Sequence, residues 1–273
     1  MCGITGYIDW TKASNDEVLK AMNATLYHRG PDSGCEETFE LESVKVGLGH
    51  KRLAIIDITE SGKQPMHYKK WCITYNGEIY NFQEIKQELE KLGHQFIGHS
   101  DTEMILHAFE QWQEKALDKF IGMFAFVLFD KENETFFCAR DRAGVKPFFY
   151  YLNDEVFLFS SELKAFHKHP NFKKEIDLQA VASFMQYGNV PSNQCIFKQT
   201  HKLKPGYFLT VDLKSKKIET KQYWNVYDAY NQPKIELPFE EAKKETEALL
   251  KSACEYRMVA DVPVGVFLSG GYD

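Results

Sequence analysis

Between residues 122 and 162 the chain reads GMFAFVLFD, ETFFCARD, PFFYYL and EVFLFSSE, short runs rich in aromatic and β-branched residues and divided by polar turns. Runs of that makeup, following one another directly, are predicted to be consecutive antiparallel strands. GYFLTVD and KIETKQYW add a final hairpin. The first hundred residues read differently. GITGYI is a predicted strand, and Ser14 is placed to cap a helix carrying Val18, Leu19, Met22 and Leu26 on one face. VKVGLGHKRLAIIDI supplies strand and loop, and WCITYNGEIYNF a strand ending near the turn dipeptide Asn76-Gly77. Residues 82–92 and 102–112 have helical spacing, the second opening on SDTE, where Ser100 or Asp101 caps and Glu103 closes the first turn. Helices between early strands, then strands in succession, predict an α+β sandwich of sheets packed face to face with helices outside them.

Composition narrows the class. With 44% hydrophobic and 26% charged residues in 273, the chain is an ordinary globular one, and its net charge of −6 is spread without a basic cluster, which excludes nucleic acid as a partner. KSKK (214–217) is a solvated turn. No window approaches the ~18 apolar residues of a membrane span and no leader is evident, so no membrane partner and a cytoplasmic location are expected. The six cysteines form no CxxC pair, and the close histidines His167 and His169 read as a helix end, so no metal site is expected.

One cysteine stands apart, Cys2, directly behind the initiator methionine. A thiolate is the reactive form of cysteine, and a free thiol near pKa ~8.5 needs a base at neutral pH. Once Met1 is removed, the α-amino group of Cys2, with an ordinary pKa of ~7.7 to 8.0, lies a few bonds from its own sulfur. Acyl transfer also needs donors for an oxyanion, which the Asn76 amide and the Gly77 N–H could supply. An amino-acid substrate needs a cation for its carboxylate and acids for its ammonium, and Arg52, Glu78 and Asp101 are available. Spacing alone does not bring these residues together.

MCGITG, HRGPD (28–32), GHKRLAIID (49–57), YNGEIYN (75–81), HSDTE (99–103) and ARDRAGVKPFFY (139–150) resemble, in order, the motifs of class II glutamine amidotransferases of the asparagine synthetase type. KLKPGYFLTVD and DVPVGVFLSGG extend the resemblance over essentially the whole chain. It implies a four-layer αββα sandwich, the N-terminal-nucleophile hydrolase fold. It further implies that Cys2 attacks the side-chain amide of glutamine, that Asn76 and Gly77 form the oxyanion hole, and that Arg52 holds the α-carboxylate with Glu78 and Asp101 near the α-ammonium. A γ-glutamyl thioester follows, and no cofactor is needed for that half-reaction. Arg29 is expected to organise the loop beside the site, or else to form a structural salt bridge. A non-catalytic scaffold would show loss of the reactive set, which is present in full.

Polar, proline-bearing NVYDAYNQPKIELP divides an amidotransferase domain over 2–226, by a linker over 227–238, from a second module over 239–273. FEEAKKETEALLKSACEYRM is a predicted helix with Ala242, Ala248, Leu249 and Cys254 among its apolar positions, and VPVGVFL a predicted buried parallel strand. SGGYD then resembles the start of the pyrophosphate loop of ATP pyrophosphatases, in which Leu268, Ser269, Gly270, Gly271 and Asp273 would line the phosphate end. That resemblance implies ATP and Mg²⁺, with aspartate as the acceptor activated as an acyl-adenylate, or another carboxylate such as a sugar acid. Tyr272 departs from the usual aliphatic residue, and the serine expected after Asp273 is absent. The expectation is a piece of a longer protein, admitting a homodimer, that releases ammonia but forms no adenylate by itself.

Overall fold

The computed structural model describes residues 1–191, 194–267 and 270. Among the described residues twelve strands form two six-stranded sheets: β1 (Gly3–Asp9), β2 (Ser33–Glu40), β3 (Lys45–Arg52), β4 (Met66–Tyr68), β5 (Trp71–Ile79), β6 (Gly122–Asp130), β7 (Thr135–Arg140), β8 (Phe149–Leu152), β9 (Val156–Ser160), β10 (Thr200–Lys202), β11 (Tyr207–Asp212) and β12 (Ile218–Gln222). Their orders are β10-β8-β9-β1-β3-β2 and β12-β11-β7-β6-β5-β4, with every neighbouring pair antiparallel. The helices are α1 (Asp16–Ala24), α2 (Phe82–Lys91), α3 (Asp101–Trp112), α4 (Ala116–Lys119), α5 (Leu178–Tyr187), α6 (Val226–Tyr230) and α7 (Phe239–Tyr256).

Strand alternation explains the layers. On β6, Phe124, Phe126 and Leu128 pack with Ile85 and Leu89 of α2 and Met104, Ile105 and Phe109 of α3. Ala125, Val127 and Phe129 point the other way, into the space between the sheets, against Ile4, Ile8, Val46, Leu48 and Phe159. The run GMFAFVLFD is therefore apolar throughout because both of its faces are buried. Tyr7 and Leu158 on the outer face of the first sheet bury Leu19 and Met22 of α1. Helix, sheet, sheet and helix make the expected α+β four-layer αββα sandwich.

Four local expectations change. Asn15, not Ser14, caps α1, accepting from Val18 N. Ser14 has long-range partners instead, its N–H donating to Asp9 Oδ2 at 2.7 Å and its hydroxyl 2.9 Å from His169 Nε2. Asn76-Gly77 is no turn: β5 runs through it to Ile79, with Asn76 opposite Ala125 and Gly77 opposite Phe124. A Cβ at Gly77 would strike the carbonyl oxygen of Met123, so glycine serves close strand approach there, not a turn. Residues 262–267 of VPVGVFL form no strand, and Val266 is 76% exposed, since a parallel strand needs neighbours and none of the described strands pairs with it. The helix at 239–256 forms as α7, but it buries no residue and Leu249 is 71% exposed. The short α6 (Val226–Tyr230) lies almost wholly within the stretch expected to be a linker.

Candidate active site

The strand β5 builds the floor. Tyr75 N–H donates to the Gln64 side-chain oxygen at 2.7 Å and Ile79 N–H to Asp101 Oδ2 at 3.0 Å, both away from β6. In a strand the N–H groups of alternate residues face the same edge, so Gly77, between those two, turns its N–H there as well, where a recess opens. Cys2, Arg52, Asn76, Gly77, Glu78 and Asp101 all line that recess. The six residues named from sequence are thus brought together from β5, the end of β3, the start of α3 and the residue before β1.

Asn76 is buried, and neither its side-chain nitrogen nor its oxygen has a hydrogen-bond partner. An unsatisfied buried amide costs ~1–3 kcal/mol, and this one leaves its donor and acceptor capacity uncommitted at the lining of the recess. Cys2 Sγ accepts from Leu53 N–H at 3.4 Å and lies 3.6 Å from the Leu53 carbonyl oxygen, to which it donates. Burial, aided by the charge of Asp101, raises the Cys2 thiol above its ordinary value, against the lowering pull of Leu53 N–H, the N-terminal ammonium and Arg52. The resting group is therefore a thiol that needs a base. Met1 lines the same recess and is half-exposed, and with it in place the recess offers about 50 Å³, room for a few waters.

Asp101 is capped into α3 by Ser100, whose hydroxyl accepts from Glu103 N. Burial and then the neighbouring Glu78 charge push Asp101 up to about 6, while the Tyr75 hydroxyl, donating at 2.7 Å, and Ile79 N–H oppose them. Burial also raises Glu78, opposed mainly by Lys146. Lys146, buried and lowered by desolvation, lines the recess too. Neither Lys146 nor Gln64 had a role assigned from sequence. The signal for Lys146 was its place within ARDRAGVKPFFY, whereas nothing in the sequence singled out Gln64.

Arg52 is aimed by carbonyl groups. Its Nη1 donates to Thr59 O at 2.8 Å and its Nη2 to Asp57 O. A Cβ built on Gly62 would collide with that Nη2. Gly62→Ala is therefore expected to displace the guanidinium and, on the role that the sequence resemblance implies for Arg52, to raise KM for glutamine about tenfold with kcat nearly unchanged, read by steady-state ammonia release. Arg29 donates to Cys2 O at 2.9 Å and pairs with Glu162 at 3.0 Å, the salt bridge that was one of the two expectations for it. Behind the floor, His50 Nε2 donates to Tyr75 O at 3.0 Å and Thr74 Oγ1 to Gly49 O at 3.2 Å, tying the two sheets beneath the site. Burial pushes His50 down to about 3, so the ring is neutral.

Of the pyrophosphate-loop residues, Leu268, Ser269, Gly271 and Asp273 lie outside the described residues. Gly270 is described, with nothing within 4 Å of a Cβ placed on it. Among the described residues no helix is long and apolar enough to cross a membrane.

The glutamine amidotransferase domain model matches residues 1–224, and the asparagine synthase model matches 245–273. A putative glutamine-hydrolysing asparagine synthetase of Methanocaldococcus jannaschii is 40% identical over all of this chain and 55% of its own length. The glutamine-hydrolysing asparagine synthetase 3 of Bacillus subtilis is 39% identical over all of this chain and 44% of its own. The chain spans about half the length of these curated relatives. In fold it is similar to the glutamine phosphoribosylpyrophosphate amidotransferase of B. subtilis, with a TM-score of 0.59 at 19% identity over 82% of this chain and 49% of that one. By sequence across the sandwich and by the architecture that carries its recess, this chain belongs to the glutamine amidotransferase family.

Proposed function

We propose that the chain hydrolyses glutamine to glutamate and ammonia with Cys2 as nucleophile. The observation that carries this reading is the buried, unpartnered Asn76 amide beside the Cys2 thiol. Removal of Met1 frees the Cys2 nitrogen, which takes the thiol proton as sulfur attacks the glutamine side-chain carbonyl carbon. Asn76 Nδ2 and Gly77 N–H receive the oxyanion. The carbon–nitrogen bond breaks as the same amine returns the proton to the leaving group. Ammonia departs, a γ-glutamyl thioester remains, and water cleaves it to glutamate and the thiol. Arg52 takes the substrate α-carboxylate, and Asp101 and Glu78 its α-ammonium. A nucleophile that must stay reduced suits a cytoplasmic setting.

We assign 2–226 to the glutaminase domain, 227–238 to a linker and 239–273 to the beginning of a synthetase module, an assignment supported by the two family matches. In the whole protein that module would use ATP and Mg²⁺ to activate aspartate for the released ammonia. The exposed apolar positions on α7, Phe239 at 76%, Leu249 at 71% and Leu250 at 63%, suit a helix with an apolar partner surface.

The test is incubation with glutamine: equimolar ammonia and glutamate are expected, with a glutamine-like electrophile labelling Cys2 once per chain. Affinity should fall as pH drops through about 6, where Asp101 loses its charge. Absence of ammonia release from Met1-free material overturns the reading.

A further inference from the structure

We propose that Asp261 is a positioning residue of the glutamine site, holding from the outer side of a loop the arginine that grips the substrate carboxylate. The proposal rests on the role given to Arg52 above.

Beyond α7 the chain returns to the sandwich. Tyr256 donates its hydroxyl to Glu84 of α2 at 2.7 Å, the Arg257 guanidinium lies 5.5 Å from the centre of the Tyr80 ring, and Val259 packs on the apolar cluster beneath α2. Asp261 N–H then donates to Ile55 O at 2.9 Å. Asp261 Oδ2 accepts from Asp57 N–H at 2.7 Å and sits 3.2 Å from His99 Nε2.

Asp57 is the hub of this arrangement. It is fully buried with φ of +51°, in the left-handed region that is uncommon for non-glycine residues but more accessible to aspartate than to most. Its carboxylate is taken by the hydroxyl groups of Thr59 and Ser61, at 2.6 and 2.7 Å. Its carbonyl oxygen accepts from Arg52 Nη2, and its N–H has Asp261. A single residue thus carries the C-terminal segment on one side of its backbone and the substrate-binding guanidinium on the other. The bond to the Asp261 carboxylate is charge-assisted, and it joins residues 204 positions apart. With Asp261 in place the residue is fixed and Arg52 is aimed into the recess. Without it the Asp57 N–H loses that partner, and the carbonyl that orients Arg52 is free to turn. Affinity for glutamine is thereby coupled to docking of the segment that follows α7.

The experiment compares the whole Met1-free chain with Asp261→Ala and Asp261→Asn, on glutamine and on its α-amide, which lacks the carboxylate that Arg52 would hold. Asp261→Ala is expected to raise KM for glutamine about tenfold with kcat within about twofold, and to leave kcat/KM for the α-amide within about twofold. Asp261→Asn keeps an acceptor oxygen and should restore KM to within about threefold of wild type. The Asp261 side chain is 42% exposed, so neither change opens the core, and thermal melting checks that both variants are folded. An unchanged KM for glutamine in the alanine variant, or equal losses on the two substrates, overturns the proposal while leaving the amidotransferase reading intact. A wild-type chain that releases no ammonia overturns that reading, and this proposal with it.

Discussion

Cys2→Ala is expected to lower ammonia release from glutamine by on the order of 10⁴-fold or more, to the background of the assay, while the melting temperature stays close to that of the parent. The size follows from the chemistry. Without sulfur no thioester forms, and water would have to attack an amide carbonyl directly, assisted only by the oxyanion donors. The fold has little to lose, because Cys2 Sγ contributes only weak contacts to the backbone of Leu53. A chain forced to retain Met1 should behave alike, since the nitrogen of Cys2 is then an amide that cannot accept the thiol proton. Full turnover by the alanine variant, measured by coupled ammonia detection, would exclude Cys2 as the nucleophile, and full turnover by the Met1-retaining chain would exclude its α-amine as the base.

Asn76→Ala should lower kcat by roughly 10²- to 10³-fold with KM for glutamine nearly unchanged, the mark of an interaction made chiefly in the transition state. Stability should move the other way or not at all. Both polar atoms of this buried amide lack partners, so truncation removes an unsatisfied group and breaks no hydrogen bond. A slower enzyme that melts no earlier is the combined result that distinguishes a preorganised catalytic donor from a structural asparagine. A variant that retains turnover, or loses it only together with its fold, would contradict the assignment.

The strands were legible because β6 and β9 are apolar along nearly their whole length, whichever face each residue takes. Caps were less so. Ser14 and Asn15 are equally good cap residues, and the choice between them is made by Asp9 and His169, which claim Ser14 from elsewhere in the fold. Asn76-Gly77 has the local chemistry of a turn, yet tertiary packing demands glycine for a different reason, the approach of β6. The strand expected over VPVGVFL has the right composition but no described neighbour to pair with. The site itself could not be read from spacing, since Cys2, Arg52, Asn76 and Asp101 meet only through the sandwich. The ordered motif series supplied what periodicity could not. Gln64 escaped because its task, satisfying one backbone N–H of β5, is set by the fold and leaves no mark in composition.

The brevity of β4 has its own consequence. It pairs with β5 only from Met66 opposite Ile73 to Tyr68 opposite Trp71, and the same register carried further would set residue 62 against Gly77. Instead the chain coils into a single 3₁₀ turn at Glu60–Gly62, and the rim of the sheet beyond Ile73 stays unzipped. Lengthening that ladder by a few rungs would occupy the Gly77 N–H, the group proposed to receive the oxyanion. A tidier sheet would be an inert one.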